Sequence, residues 1–446
     1  MAKEATSVVQ AAQKAKAAAL QMAGLSVEKR DHALMNMAEA IEKHRDEILA
    51  ENQKDIDAAE QLVKDGKITA AAAKRLNLQG AKFDGVVEGL RSVATLSDPI
   101  GKTLMATELD EGLNLYRVSC PIGVIAVIFE SRPDALPQIA SLCLKSGNAL
   151  LLKGGSEAMH SNRVLARVLD EAAQGAGIPA GWMSLLETRG EIAEVLKLDE
   201  YVDLIIPRGS NDFVRYIMDN TNIPVTGHRD GICHTYIHDG ADPEKAVRIA
   251  VDGKTQYPAV CNATETLLID QAAAPMLPAV ARALMEKGVE IHADDATRKI
   301  IEQDASIARD KIVAATDADW DTEFLDLVIG LKMVGDLDAA IAHINAHGSH
   351  HTDSIVTEDA DAAEKFIREV DSSSVLHNCS TRFADGFRYG LGAEVGISTE
   401  KIHSRGPVGL EGLTIYKYIL RGQGQIVADY SGSGGRKFTH RRLPVE

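Results

Sequence analysis

The segment TQYPAVCNATETLLID, residues 255–270, sets one cysteine between a Tyr-Pro turn signal and a strand-like run. Cys261 could be a buried small hydrophobe, half of a metal or redox site, or a nucleophile. A Pro/Asn/Thr loop is a place where a thiolate can face a cleft and meet backbone N–H donors, and thiolate is nucleophilic near neutral pH. Cys120, Cys143 and Cys233 lie in apolar, strand-like surroundings (VSCPIGV, ASLCLKS, GICHTY) that favour packing. Cys379, in LHNCSTRF, sits among polar groups and rivals Cys261. Five cysteines with no CxxC pair support neither a disulfide framework nor a zinc ribbon.

The stretch HINAHGSHHTD gathers His343, His347, His350 and His351. His343 and His347, spaced i, i+4, would share a helix face, but a zinc site needs about four ligands and no cysteine or paired acid is near in sequence. The stretch reads better as a loop lining an anionic pocket, and no metal is expected. Three resemblances to phosphate loops fail on spacing or context. IGKT at 100–103 lacks the first glycine of GxxxxGK[ST], which would fall at Leu96. GLGAEVG at 390–396 has three residues between its second and third glycines, and SGSGGRK belongs to the tail.

The elements that must position these residues follow from composition and period. The chain has 446 residues, 45% of them hydrophobic and 25% charged, enough for two or three domains with real cores. A net charge of -17 argues against a general binder of nucleic acid or anionic membrane. No signal-peptide pattern and no long apolar run is present, which predicts a cytoplasmic protein. Residues 4–92 predict several packed helices. From Asp110, GLNLYRVSCPIGVIAVIFE predicts a hairpin feeding a buried strand. NALLLKGG and YVDLIIPRGS each lead into a helical segment, so a parallel sheet with right-handed crossovers is expected, with ligands at its carboxyl ends. GICHTYIH, ETLLID, KIVAA, LKMVG and DSIVTED predict the strands of a second α/β domain. One extended strand follows near the C-terminus, and then a loose Gly/Ser-rich basic tail.

Several long blocks carry a resemblance: PIGVIAVIFESRPDALP, NALLLKGGSEA, YVDLIIPRGSNDFVRYI, QYPAVCNATETLLID, VGDLDAAIAHINAHGSHHTDSIVTED and STRFADGFRYGLGAEVGISTEKIHSRGPVGLEGL. In this order they resemble the gamma-glutamyl phosphate reductases of the aldehyde dehydrogenase superfamily over essentially the whole chain. The resemblance implies an α/β fold of aldehyde dehydrogenase type. It places a Rossmann-type NADP-binding domain at 1–106 and 121–228, an α/β catalytic domain at 229–409, and a small β arm and tail at 107–120 and 410–446. The arm would pair subunits of a homo-oligomer. The implied reaction is NADPH-dependent reduction of L-glutamyl 5-phosphate to L-glutamate 5-semialdehyde and phosphate, in proline biosynthesis, with glutamate 5-kinase as a partner that could hand over the labile acyl phosphate.

The same resemblance assigns the nucleophile to Cys261. Arg132 stands nearest the superfamily's oxyanion-stabilising asparagine, with a surface ion pair to Glu130 as the alternative. Lys153 matches the lysine at the adenosine ribose, with Ser156 beside it. Gly209 and Ser210 match the turn beneath the cofactor, and Glu323 matches the glutamate at the nicotinamide ribose. Where oxidising members carry a water-activating glutamate, this chain reads GHRDGI, so His228 and Arg229 would favour phosphate in place of water. His351, Asp353 and Glu394 are offered towards the glutamyl group, His351 first among them. Cys379 replaces a small apolar residue and becomes a bystander. Two rivals stand beside this reading: a hydrolytic aldehyde dehydrogenase, and a catalytically silent nucleotide-binding scaffold.

Overall fold

Ser7 opens the first helix, Val8–Met22, by accepting from the Gln10 amide while the Gln10 side chain returns a bond to the Ser7 backbone. Ala11, Ala12, Ala15, Ala18, Ala19 and Met22 then form one buried face, whose small side chains let the helix lie close to a sheet. The computed structural model describes residues 7–130, 132–228, 230–307 and 309–445, and at 71 and 189 the backbone only. The chain separates into two units: Met1–Val225 with Leu391–Gly396 and Val408–Glu446, and Thr226–Gly390 with Ile397–Pro407. The expected run 229–409 is thus interrupted at Leu391–Gly396. No helix among the described residues is long and apolar enough to cross a membrane.

In the first unit the helices Val27–Lys43, Arg45–Lys64, Ala70–Leu76 and Ala81–Thr95 follow before any strand. A hairpin of β1 (Thr103–Asp110) and β2 (Leu113–Pro121) turns at Gly112, whose φ of 71° costs glycine nothing sterically. The strand Thr414–Arg421 extends it antiparallel, from Thr414 opposite Pro121 to Arg421 opposite Asn114. The tail departs from the loose end its composition predicts. Arg441 and Arg442 pair with Glu108 and Thr107, Phe438 stacks on Tyr430 with centroids 4.5 Å apart, and Arg436 reaches Asp110 at 2.7 Å. Strand pairing and an ion pair to the distant β1 segment, with ring stacking inside the tail, hold it.

The second sheet of this unit is parallel, built from β3 (Val124–Phe129), β4 (Ala149–Lys153), β5 (Met183–Leu186) and β6 (Leu204–Arg208) in the order β5-β4-β3-β6. Every residue of β3 and β4 is buried, as in sheets covered on both faces. β4 lies on one side of β3 and β6 on the other. The chain therefore reverses its winding beside β3, where diverging connections open a crevice at the carboxyl ends.

The second unit is a seven-stranded parallel sheet. Its strands are β7 (Cys233–Ile237), β8 (Thr264–Asp270), β9 (Glu290–Ala293), β10 (Ile312–Ala314), β11 (Val328–Val334), β12 (Thr352–Val356) and β13 (Ser374–His377), in the order β10-β9-β11-β8-β7-β12-β13. Period-two alternation divides its core. Leu267 and Ile269 pack with Ile249 and Val280 of the helices Pro243–Thr255 and Leu277–Glu286. Leu268 and Tyr236 face the other way, onto Ile344 and Phe366 of Leu337–His347 and Ala360–Glu369. Each such aliphatic side chain, fully buried, contributes roughly 1.5–3 kcal/mol.

Candidate active site

Cys261 precedes β8, Gly231 precedes β7, Glu323 precedes β11 and His351 precedes β12. The chemistry of the second unit therefore gathers at the amino ends of its strands, opposite to the carboxyl-end crevice of the first unit. The carboxyl ends are closed by tight returns into helices, whose first turns are capped by the side chains of Asp242, Asp336 and Asp359.

The cysteine loop is fastened from several sides. The Ala263 amide bonds the Val260 carbonyl at 3.0 Å, and the Asn262 side chain donates to the Ala384 carbonyl at 2.8 Å. Thr264 meets the hydroxyls of Thr235 and Thr381 at 3.0 and 3.1 Å. Beneath the loop, the thiol of Cys233 lies 3.1 Å from the Cys261 carbonyl. Gly231 packs so tightly that a Cβ there would stand 2.5 Å from both Cys261 Cα and Glu323 Oε1, and closer still to the Cys261 carbonyl oxygen. These bonds leave Cys261 Sγ itself outside the fastening, and the residue is partly exposed.

Two imidazoles complete the group: ligand-competent atoms of Cys261, His228 and His351 lie within 4.8 Å of one another. His228 is oriented by a 3.1 Å bond between Nδ1 and the Ile397 carbonyl, and its ring meets that of His351 edge-on at 5.2 Å. His351 is buried, with Nδ1 2.8 Å from the Thr352 hydroxyl and 3.8 Å from Cys233 Sγ. Its backbone arrives through His350, a non-glycine residue at φ 60°, and its carbonyl is held by Ser373 and Ser374. The cluster HGSHHTD is thus split by the fold. Asp353 is buried and accepts from the His234 amide and ring, at 2.7 and 3.0 Å, and from Ser372, so it is spent inside the protein. His343 packs against Trp320 and His234, and burial pushes its pKa down to about 2. His347 pairs with Asp321 at 2.9 Å.

Behind the loop lies an ion pair absent from the sequence reading. Lys254 Nζ and Glu265 Oε2 are 2.6 Å apart and fully buried. Burial raises Glu265 to about 7 and lowers Lys254, both towards the neutral forms. Glu265 Oε1 also accepts from the Leu325 amide at 3.3 Å, where the chain turns at φ 55° two residues after Glu323. Arg382 was also missed. It is buried, bonds Gln256 through Nε at 3.0 Å, and is close enough to Cys261 to feel its charge. Arginine in a polar run gave no sign of burial. Cys379 is a half-buried thiol pushed up by desolvation.

The first unit carries the remaining expected residues. Its crevice, about 670 Å³, is lined by Lys153, Ser156, Glu130, Thr188, Phe213 and Tyr216 among others. Lys153 is buried, with Nζ on the Gly154 carbonyl. A Cβ at Gly209 would meet Glu130 Oε2 at 2.8 Å and Phe213 at 2.9 Å, and Ser210 occupies the N-cap position of the helix Asn211–Asp219 without a side-chain cap bond. Arg132 is half-exposed and pairs with Asp134 at 2.8 Å. Arg229 lies outside the described residues.

The profile of the aldehyde dehydrogenase family matches residues 1–309. A gamma-glutamyl phosphate reductase of Acetivibrio thermocellus is 53% identical over 98% of both chains, and one of Methanosarcina mazei 53% identical over 97% of both. The crystal structure of gamma-glutamyl phosphate reductase from Thermotoga maritima superposes with a TM-score of 0.89 at 36% identity, covering 94% of this chain and 99% of that one. The chain belongs to the aldehyde dehydrogenase family, among its gamma-glutamyl phosphate reductases. As a member of that family it is an oxidoreductase with a small-molecule substrate, and the family's dinucleotide is NAD(P).

Within this family context the crowding at Gly231 has a measurable consequence. Gly231→Ala must push the Cys261 backbone or the Glu323 carboxylate aside by several tenths of an ångström or more. For the nucleophile that the family resemblance makes of Cys261, displacement on the ångström scale would cost about 100-fold in rate. Gly231→Ala should therefore lower kcat/KM about 100-fold with little change in melting temperature. A variant of wild-type activity would show that the loop yields without moving Cys261.

Proposed function

We propose that this chain reduces L-glutamyl 5-phosphate to L-glutamate 5-semialdehyde and phosphate with NADPH, through a thioester on Cys261, as the second step of proline synthesis from glutamate. The observation that carries the thioester is the grouping of one partly exposed thiol with two imidazoles. The resemblance puts GHRDGI, with His228, near the place where hydrolytic members carry the carboxylate that activates water.

The Cys261 thiolate attacks the acyl carbon, the acyl–oxygen bond to phosphate breaks, and phosphate departs with the bonding electrons. NADPH, held by the residues named below, would supply a hydride to the thioester carbon. The resulting thiohemiacetal collapses to the aldehyde and returns the thiolate. His228 and His351, with Arg229, would bind the departing phosphate or incoming anion, and Arg132, released from Asp134, would stabilise the oxyanion. Lys153, Ser156, Gly209, Ser210 and Glu323 would hold the dinucleotide. The crevice of the first unit fits such a ligand: it is large enough, carries a cation, and has a glycine where a side chain would collide with its neighbours.

The strand Thr414–Arg421 exposes Tyr416, Tyr418 and Leu420 in a period-two row on the edge of its sheet, which supports a homo-oligomer formed by strand addition. We place the enzyme in the cytoplasm, where glutamate 5-kinase would supply the acyl phosphate. Reduction of NADP+ by glutamate semialdehyde, run with and without phosphate, tests the reaction. Turnover should require phosphate, and phosphate-independent formation of glutamate would sink the reading in favour of a hydrolytic dehydrogenase.

A further inference from the structure

Thiolate and imidazole are the two donors that bind zinc best, and this group holds one thiol and two imidazoles with ligand-competent atoms within 4.8 Å of each other. His351 adds an independent sign. It is 1% exposed, and its Nε2 is buried with no hydrogen-bond partner, while Nδ1 is taken up by Thr352. A buried ring nitrogen left in this state lacks the compensation that polar burial normally requires, and a cation would supply it. His228 has the complementary arrangement: Nδ1 is committed to the Ile397 carbonyl, which as acceptor fixes the proton on Nδ1 and leaves Nε2 with its lone pair outward. Both imidazoles are therefore oriented as neutral ligands by bonds that do not involve the metal.

We propose that Cys261, His228 and His351 form a binding site for Zn2+, which occupies the nucleophile and reversibly switches the enzyme off. The step is Cys–SH plus Zn2+ giving Cys–S–Zn+ and one released proton, with the two imidazoles as neutral donors and water in the fourth position. No electrons are transferred. Tetrahedral zinc sets ligand atoms about 3.3–3.6 Å apart, so the group closes by an ångström or so. The side chains of Cys261 and His228, neither fully buried, supply that movement while His351 stays fixed. Arg382, whose charge is felt at Cys261, weakens a cation there and keeps the site exchangeable. Inhibition rests on the reading of Cys261 as nucleophile, but binding does not.

The full-length protein titrated with CoCl2 tests binding without reference to turnover. Co2+ should produce a thiolate-to-cobalt charge-transfer band with intense visible bands of tetrahedral coordination. ZnCl2 should abolish that spectrum, slow alkylation of Cys261 by iodoacetamide at least about tenfold by peptide mass analysis, and inhibit turnover until EDTA is added. The charge-transfer band should be lost in Cys261→Ser, and His351→Gln or His228→Gln should each weaken binding about tenfold or more, with folding checked by circular dichroism. A charge-transfer band that persists in Cys261→Ser, zinc protection confined to Cys379 or Cys120, or inhibition unchanged in both histidine variants would overturn the proposal. If the wild-type band is absent the site does not exist, whatever the variants do. Full activity in Cys261→Ser would instead overturn the catalytic reading while the Co2+ spectrum of the wild-type protein still stood, so the two failures are distinguishable.

Discussion

Cys261→Ser should lower reduction of the acyl phosphate by on the order of 10⁴-fold or more while leaving the fold unchanged, as loss of a covalent nucleophile does elsewhere. Serine keeps the size and the backbone contacts of the residue, because the bonds from Cys233, Asn262 and Ala263 hold the loop through main chain or through neighbours and not through Sγ. What changes is chemistry: an alcohol is far less ionised than a thiol near neutral pH, and an ester accepts hydride less readily than a thioester. Single-turnover kinetics under saturating NADPH, with thermal melting as control, measure the effect. Activity above a few per cent of wild type would remove Cys261 from the covalent role. Mass analysis after rapid quench should find the glutamyl group on Cys261 alone. Desolvation pushes Cys143 up to about 12 and Cys233 well above its ordinary value, and it also raises Cys120 and Cys379, so the other four thiols compete poorly.

Lys254→Met should destabilise the second unit by about 3–5 kcal/mol, because it strands the Glu265 carboxylate in a fully buried site. Trp320 lies in this unit and Trp182 in the first, so a Trp182→Phe background makes tryptophan fluorescence a local reporter of urea unfolding. Replacing both partners, as Lys254→Met with Glu265→Leu, should recover most of the loss, since removing the pair also removes its desolvation. An equal loss in single and double variants would mean that packing, and not the stranded charge, sets the cost. The pH dependence has a definite sign. Between the unfolded value near 4.5 and the folded value of about 7, folded Glu265 keeps a proton that the unfolded chain has lost, so stability falls as pH rises through that window. Glu265→Gln should remove this slope, and Lys254→Met should move it to higher pH. Because Glu265 also holds the Leu325 amide, the same variants should loosen Glu323 and raise the KM for the dinucleotide.

Most strands legible in the sequence were those with enough inward positions to show a period, the three-residue β10 within the expected KIVAA being the exception. β3, β4, β7, β8, β11 and β12 each appear as a β-branched or leucine-rich run, whereas β5 (MSLL), β9 (EIHA) and β13 (SVLH) are four residues long and place two side chains at most on either face. Local texture left Cys261 among three readings, and the family resemblance singled it out. Its supports were not legible. Glu265 looks like a polar residue entering a strand, and Lys254 looks like an ordinary basic residue in the last turn of a helix, so only the fold reveals that both are sealed from water. Gly231 and Cys233 gain meaning only when β7 is laid beside β8. The histidine stretch shows the reverse problem, in which neighbours in sequence are divided between a core position, a salt bridge and the reactive group.

The two parallel sheets are used at opposite ends, and the backbone dipoles differ accordingly. In the first unit the helices Ala135–Lys145, Met159–Gly175 and Asn211–Asp219 begin at the carboxyl ends of β3, β4 and β6, so the crevice there receives positive helix ends suited to the phosphates of a dinucleotide. At the amino ends in the second unit, Pro243–Thr255 and Leu337–His347 finish just ahead of the loops that carry Cys261 and His351, presenting partial negative charge. The main chain at that edge opposes a thiolate and a phosphate alike. Positive charge for the reaction must therefore come from side chains, and Arg382, buried and close enough to Cys261 to feel its charge, is one that the second unit places there.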